Sequence, residues 1–254
     1  MGSGSITKLN MTKLFISDLH LHQTKPEVTD LFKQFINSLL TLSIPNQELY
    51  ILGDLFEFWI GDDYEDPLHC EIGNQLKNLV KSGVKTYFMH GNRDFFIGKD
   101  FLSKTGIKLL SEPTIFSYKN KRVMLCHGDQ FCIDDVKYQA YRKIVRNLEW
   151  QRSFLNFPIN KRLEILNEAR DASIQSRQMK SNDIMDVNES EVAAAIQKNN
   201  IDILIHGHTH RPNSHTIDIG SKKSVRLVLG DWSASAAKII EWVNAEPKLI
   251  DLIN

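Results

Sequence analysis

Short apolar runs stop abruptly at polar clusters along most of this chain. Lys13 to Ser17 (KLFIS) meets Asp18, Leu49 to Leu52 (LYIL) meets Gly53-Asp54, and Thr86 to Met89 (TYFM) meets His90-Gly91-Asn92. Val123 to Cys126 (VMLC) meets His127-Gly128-Asp129, and Ile203 to Ile205 (ILI) meets His206-Gly207-His208. Unbroken apolar runs of this length predict strands covered on both faces. Val225 to Leu229 and Ile239 to Val243 predict two more. Between the early strands, Val28 to Leu42 carries Leu31, Phe32, Phe35, Leu39 and Leu40 at a helical period, and Leu68 to Lys81 reads likewise, with Gly83 as a stop signal. The βαβα order predicts an α/β sheet, whose ligands gather beyond the carboxyl ends of its strands. The polar clusters fall at those ends.

From Val136 to Lys180 the strand pattern disappears. This stretch reads as helices broken near Asn156-Phe157-Pro158. It holds ten Lys and Arg against four Asp and Glu, a surplus of six positive charges, and also Trp150, Phe154, Leu155, Phe157, Ile159 and Leu163. We read it as a helical lid, both cationic and apolar, inserted at 136–180 in one domain spanning 11–254. Met1 to Asn10 (MGSGSITKLN) has no apolar signal core and is set aside as extraneous. Arg146 and Arg152 are equally readable as solvated charges.

Composition narrows the classes. The chain has 254 residues, 42% of them hydrophobic, and 31 basic residues against 31 acidic. That excludes a disordered tail and, having no global positive charge, argues against a nucleic-acid partner. The three cysteines, Cys70, Cys126 and Cys132, form no C-x-x-C pair and fit a reducing compartment. No uncharged apolar run reaches the ~18 residues of a membrane span.

The candidate chemistry lies in five strand-end clusters: Asp18-Leu19-His20, Gly53-Asp54, Gly91-Asn92-Arg93-Asp94, His127-Gly128-Asp129 and Gly207-His208-Thr209-His210. Mixed carboxylate, amide and imidazole donors suit Mn²⁺, Fe²⁺ or Zn²⁺ better than Ca²⁺ or Mg²⁺. Asp18 with His20, and His208 with His210, share a face if the chain there is extended. Seven donors exceed one tetrahedral site and suit two ions roughly 3.5–4 Å apart. Each residue alone is weak, and His22, His69, His90, His206 and His215 are read as ordinary surface or core histidines, with His90 and His206 also able to support ligands from behind. The recurrence at five strand ends, with glycine beside four of them, outweighs the weakness of each.

The ordered series D-x-H, G-D, G-N-x-D, H-G-D and G-H-x-H resembles the signature of the calcineurin-like metallophosphoesterases. The resemblance implies a four-layer α-β-β-α sandwich with a dinuclear metal centre. Asp18, His20, Asp54 and His210 would hold one ion; Asp54, Asn92, His127 and His208 would hold the other, Asp54 bridging. Two cations would neutralise a phosphoester and ready a water for in-line attack. Where many members place His after the Asn, this chain has Arg93, a poor proton donor and a good phosphate clamp. A leaving group that needs little protonation follows, which points to a pyrophosphate bond. SDLHLH (17–22), ILGDLFEFWIGDD (51–63), HGNRDFFIG (90–98), CHGDQFCIDD (126–135), IMDVN (184–188) and IHGHTHRP (205–212) are similar to the UDP-2,3-diacylglucosamine diphosphatase branch of lipid A biosynthesis. That branch implies two Mn²⁺ ions, release of UMP and 2,3-diacylglucosamine 1-phosphate, and peripheral attachment, as a monomer, to the cytoplasmic face of an inner membrane. It implies Asn92, Arg93 and His127 as catalytic residues. Substrate contacts map onto Asn92, Arg93, Asp135, Ser173, Arg177, Lys180 and His208, with Arg177 standing where a small polar residue is common. A soluble nucleotide phosphodiesterase is the alternative, and a catalytically dead scaffold would predict eroded ligands, whereas all seven are intact.

Overall fold

A computed structural model describes residues 12–42, 44, 46–178, 186–243 and 245–253, with only the backbone of 173–178. In chain order the strands are β1 Lys13–Ile16, β2 Glu48–Ile51, β3 Lys85–Phe88, β4 Lys108–Leu109, β5 Thr114–Tyr118 and β6 Lys121–Leu125. They continue as β7 Ile203–His206, β8 Asn213–Ile219, β9 Lys222–Val228, β10 Lys238–Trp242 and β11 Lys248–Asp251. The helices are α1 Pro26–Leu42, α2 Pro67–Lys81, α3 Lys99–Thr105, α4 Val136–Val145, α5 Leu148–Leu155, α6 Ile159–Gln178 and α7 Glu189–Asn199.

One sheet has six strands in the order β11-β10-β1-β2-β3-β4, the other five in the order β5-β6-β7-β9-β8. Their inner faces meet through Phe15, Tyr50, Leu52, Met89, Leu125, Ile205, Leu227 and Trp242, all buried. Outside the first sheet, Phe32 and Ile36 of α1 and Ile72 and Leu76 of α2 bury against Ile16, Ile51 and Phe88. Outside the second, Val192 and Ile196 of α7 cover Met124 and Leu204. The result is the four-layer α-β-β-α sandwich expected from the sequence.

Local chemistry sets the helix ends. Asp66 caps α2 by accepting from the backbone N–H groups of Leu68 (2.8 Å) and His69, Pro67 supplies its first residue, and Gly83 follows its end at φ +100°. The break at Asn156-Phe157-Pro158 separates α5 from α6. The short strands β4, β5, β8 and β11 carry exposed or half-buried residues rather than apolar runs, so periodicity did not reveal them. Helices α3 and α7 also went unread.

Register positions the site. Ile16 pairs with Ile51 and Ile51 with Phe88 in parallel, and Leu125 pairs with Ile205 in parallel. The carboxyl ends of β1, β2, β3, β6 and β7 therefore open onto one edge of the sandwich, a few residues before each polar cluster.

Candidate metal centre and adjoining cavity

The five loops converge and are tied to one another. The Asp18 N–H donates to the Gly53 carbonyl (3.1 Å) and the His20 N–H to the Asp54 carbonyl (3.0 Å). The Gly207 N–H donates to the His127 carbonyl (2.9 Å), and the His208 N–H to the Asp18 carboxylate (2.9 Å to Oδ2). Asp94, fully buried, accepts from the backbone N–H groups of Asp54, Leu55 and Gly91. Burial, reinforced by the nearby Asp54 carboxylate, pushes Asp94 up to about 7.

The local conformation differs from the extended segments expected. Asp18, His20, Asp54, His208 and His210 all have positive φ, between 48° and 69°. Pairs of donors share a target because each loop coils through the left-handed region, which costs roughly 1–3 kcal/mol per residue. The glycines make room. A Cβ on Gly91 would lie 2.1 Å from Asp54 Oδ1, and one on Gly207 would lie 2.2 Å from Asp18 Oδ2.

The seven candidate donors meet. Donor atoms of Asp18, His20 and His210 lie within 4.8 Å of one another, as do those of Asp18, Asp54 and His127. Asp54 Oδ2 stands 3.7 Å from both His20 Nε2 and His127 Nε2, the position a bridging carboxylate would take. Asn92 Oδ1 is 2.9 Å from both His127 Nε2 and His208 Nδ1.

The donor set fits a cation. His127 Nδ1 donates to the Leu52 carbonyl at 2.9 Å, which turns Nε2 toward the oxygens of Asn92 and Asp54. A bare nitrogen lone pair facing oxygen acceptors is repelled, so a proton or metal must lie between. Burial opposes charging His127, but the Asp54, Asp18, Asp129 and Glu112 carboxylates outweigh it and hold the group up to about 9. His208, by contrast, is pushed down to about 3 by burial and by its cationic neighbour His127, the neutral form a metal ligand needs.

Beside these donors lies a cavity of about 610 Å³. Asn92, His208 and His210 line it, together with Trp150, Phe154, Ile165 and Leu166 of α5 and α6. Arg93 and Asp135 also border it. Asp135 caps α4 by accepting from the Tyr138 N–H at 3.0 Å. His127 is fully buried and does not line the cavity. The side chains of Ser173 and Arg177, and all of Lys180, lie outside the described residues.

Several charges of the helical segment turn inward; of the two equally readable as solvated, Arg146 does so and Arg152 stays exposed. Arg162, 2% exposed, donates to the Ile60 carbonyl (2.6 Å) and pairs with Asp63. Arg146 donates to the Gly91 carbonyl (2.9 Å), and Arg142 to Asp129 (2.8 Å). His90 donates to the Ile97 carbonyl and His206 to the Gly207 carbonyl, so neither supports a candidate ligand through these bonds.

Sequence reading missed Glu57, Tyr138 and Arg170. Tyr138 stacks on His208 (5.7 Å between ring centres) and donates to Asp129. Glu57 faces His20, Arg93 and Arg170. Its signal was present: a lone acid inside Leu55-Phe56-Glu57-Phe58-Trp59 must find partners once the run is buried.

Comparison with known proteins agrees with this geometry. UDP-2,3-diacylglucosamine hydrolase of Aliivibrio fischeri is 44% identical over 91% of this chain and 95% of its own. The protein of that name from Vibrio parahaemolyticus is 46% identical over 87% and 90%, and that from Stenotrophomonas maltophilia 44% over 87% and 91%. The calcineurin-like phosphoesterase profile matches residues 11–212, and this chain belongs to that family.

Proposed function

We propose that this protein hydrolyses the pyrophosphate bond of UDP-2,3-diacylglucosamine, releasing UMP and 2,3-diacylglucosamine 1-phosphate for lipid A biosynthesis. The observation that carries the reading is a cavity lined both by metal-type donors and by aromatic and aliphatic side chains. A soluble nucleotide would leave those walls wet. Acyl chains fill them, each buried CH₂ contributing about 0.8 kcal/mol. The names of the relatives point to the same substrate.

Asp18, His20, Asp54 and His210 would hold one ion, and Asp54, Asn92, His127 and His208 the other. Two Mn²⁺ ions suit this mixed set, and when bound they supply neutralisation of the diphosphate and activation of water. The protein's own part is positioning. Arg93 donates its backbone N–H to Asp54 Oδ1 (2.8 Å), which places its guanidinium at the cavity wall beside Asn92. There it clamps a phosphoryl oxygen and stays protonated throughout, so the departing phosphate leaves without a proton from it. Tyr138 stacks against His208 and braces that ring.

Attachment to the cytoplasmic face of a membrane is part of the proposal. Val136 and Ile144 of α4 and Leu148 of α5 are 73%, 54% and 67% exposed, with Lys137, Lys143 and Arg152 exposed among them. An apolar stripe flanked by cations suits an anionic bilayer surface. All seven donors come from one chain, which suits a monomer.

The test is hydrolysis of UDP-2,3-diacylglucosamine with Mn²⁺ in H₂¹⁸O. Attack at the α-phosphorus puts the label in UMP. Label in the sugar phosphate would reverse the assigned direction, and the absence of cleavage would reject the function.

A further inference from the structure

Glu57 lies three residues beyond Asp54, and its carboxylate faces His20, Arg93 and Arg170, side chains from three separate segments. Oε2 lies 3.1 Å from Nδ1 of His20, the candidate donor after β1. Oε1 lies 4.0 Å from Nη1 of Arg93, in the loop after β3, and 3.6 Å from Nη2 of Arg170, on α6. The backbone of Glu57 is pinned by its N–H donating to the Leu21 carbonyl at 3.1 Å. The carboxylate, 15% exposed, borders the cavity.

Each contact has a separate consequence. The carboxylate 3.1 Å from Nδ1 fixes the side of the His20 ring turned away from the cluster, so that Nε2 faces His210 Nε2 at 3.2 Å and Asp54 Oδ2 at 3.7 Å. The other oxygen draws two guanidiniums together against their mutual repulsion. One belongs to the sandwich and one to the helix that roofs the cavity, so the same carboxylate bears on the cluster and on the roof.

We propose that Glu57 is a positioning residue that couples the seating of α6, through Arg170, to the orientation of His20 in the metal cluster. The proposal rests on the cluster being a metal site and needs no particular substrate. Its test is Mn²⁺ titration into the metal-free protein by calorimetry, paired with hydrogen exchange along α6. Glu57→Gln keeps the shape and removes the charge. It should weaken Mn²⁺ binding roughly 10–100-fold and speed exchange around residue 170. Arg170→Ala should speed the same exchange and, because coupling is reciprocal, also weaken Mn²⁺ binding, by roughly fivefold; Mn²⁺ affinity unchanged in Arg170→Ala would overturn the coupling. Glu57→Asp, which keeps the charge and is read in the same way should the Gln variant fail to fold, should recover part of the affinity. Unchanged Mn²⁺ binding in Glu57→Gln would overturn the assignment to His20. Unchanged exchange in both Glu57→Gln and Arg170→Ala would overturn the coupling to α6. Because neither readout uses a nucleotide lipid, failure of the hydrolysis assay would leave the proposal standing.

Discussion

The strand-end cluster and the helices α4 to α6 solve opposite problems with the same kinds of side chain. The cluster draws donors from five segments far apart in sequence and holds them with backbone bonds, five left-handed residues and glycines that leave no room for a Cβ. The helices form one continuous stretch of chain, seated by arginines: Arg142 on Asp129, Arg146 on Gly91, Arg162 on Ile60 and Asp63, Arg170 on Glu57. In the cluster, carboxylates create a demand for positive charge that a metal can meet. In the helices, guanidiniums supply positive charge to carbonyls and carboxylates of the sandwich beneath. Chemistry that needs donors placed within tenths of an ångström is built on strand ends, while under the proposed function the binding of long flexible chains would fall to a separately anchored layer.

The sharpest way to separate the two regions is to remove the residue they share least. Asp54→Ala should strip both ions and lower turnover about 10³-fold or more, some 4 kcal/mol in the barrier, while the helical layer stays folded. Metal analysis of the purified variant checks it, and full metal content would contradict the bridging role. Arg93→Ala should lower kcat about 10²-fold with two ions retained, as expected for loss of one group stabilising developing charge. Ala169→Phe acts from the other side. Ala169 lines the cavity, and a ring there displaces about two methylenes, raising KM for the diacylated substrate roughly tenfold with metal content unchanged. Equal KM values would mean that the apolar walls do not touch the substrate.

The two regions also differed in how much of them the sequence disclosed. The strands and donors of the cluster were legible because buried parallel strands are apolar without interruption and end at one edge. The series from Asp18 to His210 therefore marked both the sheets and the site. Its left-handed conformations were not legible, since Asp and His favour positive φ more than most residues yet adopt it only in a minority of cases. The helical layer was read from its periodicity and charge, yet the direction of that charge was hidden. Arg162 and Arg146 look like surface residues until Ile60, Asp63 and Gly91 are brought beneath them from 102, 99 and 55 positions away. Edge strands such as β8, one face exposed and the other only half-buried, and the short α3 offered too little pattern to read.

Both regions acting on one molecule is the claim on which the rest stands. It is tested most directly by comparing kcat/KM for UDP-2,3-diacylglucosamine with that for its fully deacylated counterpart, under saturating Mn²⁺. A preference of several orders of magnitude for the acylated substrate, abolished in step with loss of the apolar cavity, is the predicted result. Equal cleavage of both would show that the cluster works alone and that the cavity serves something else.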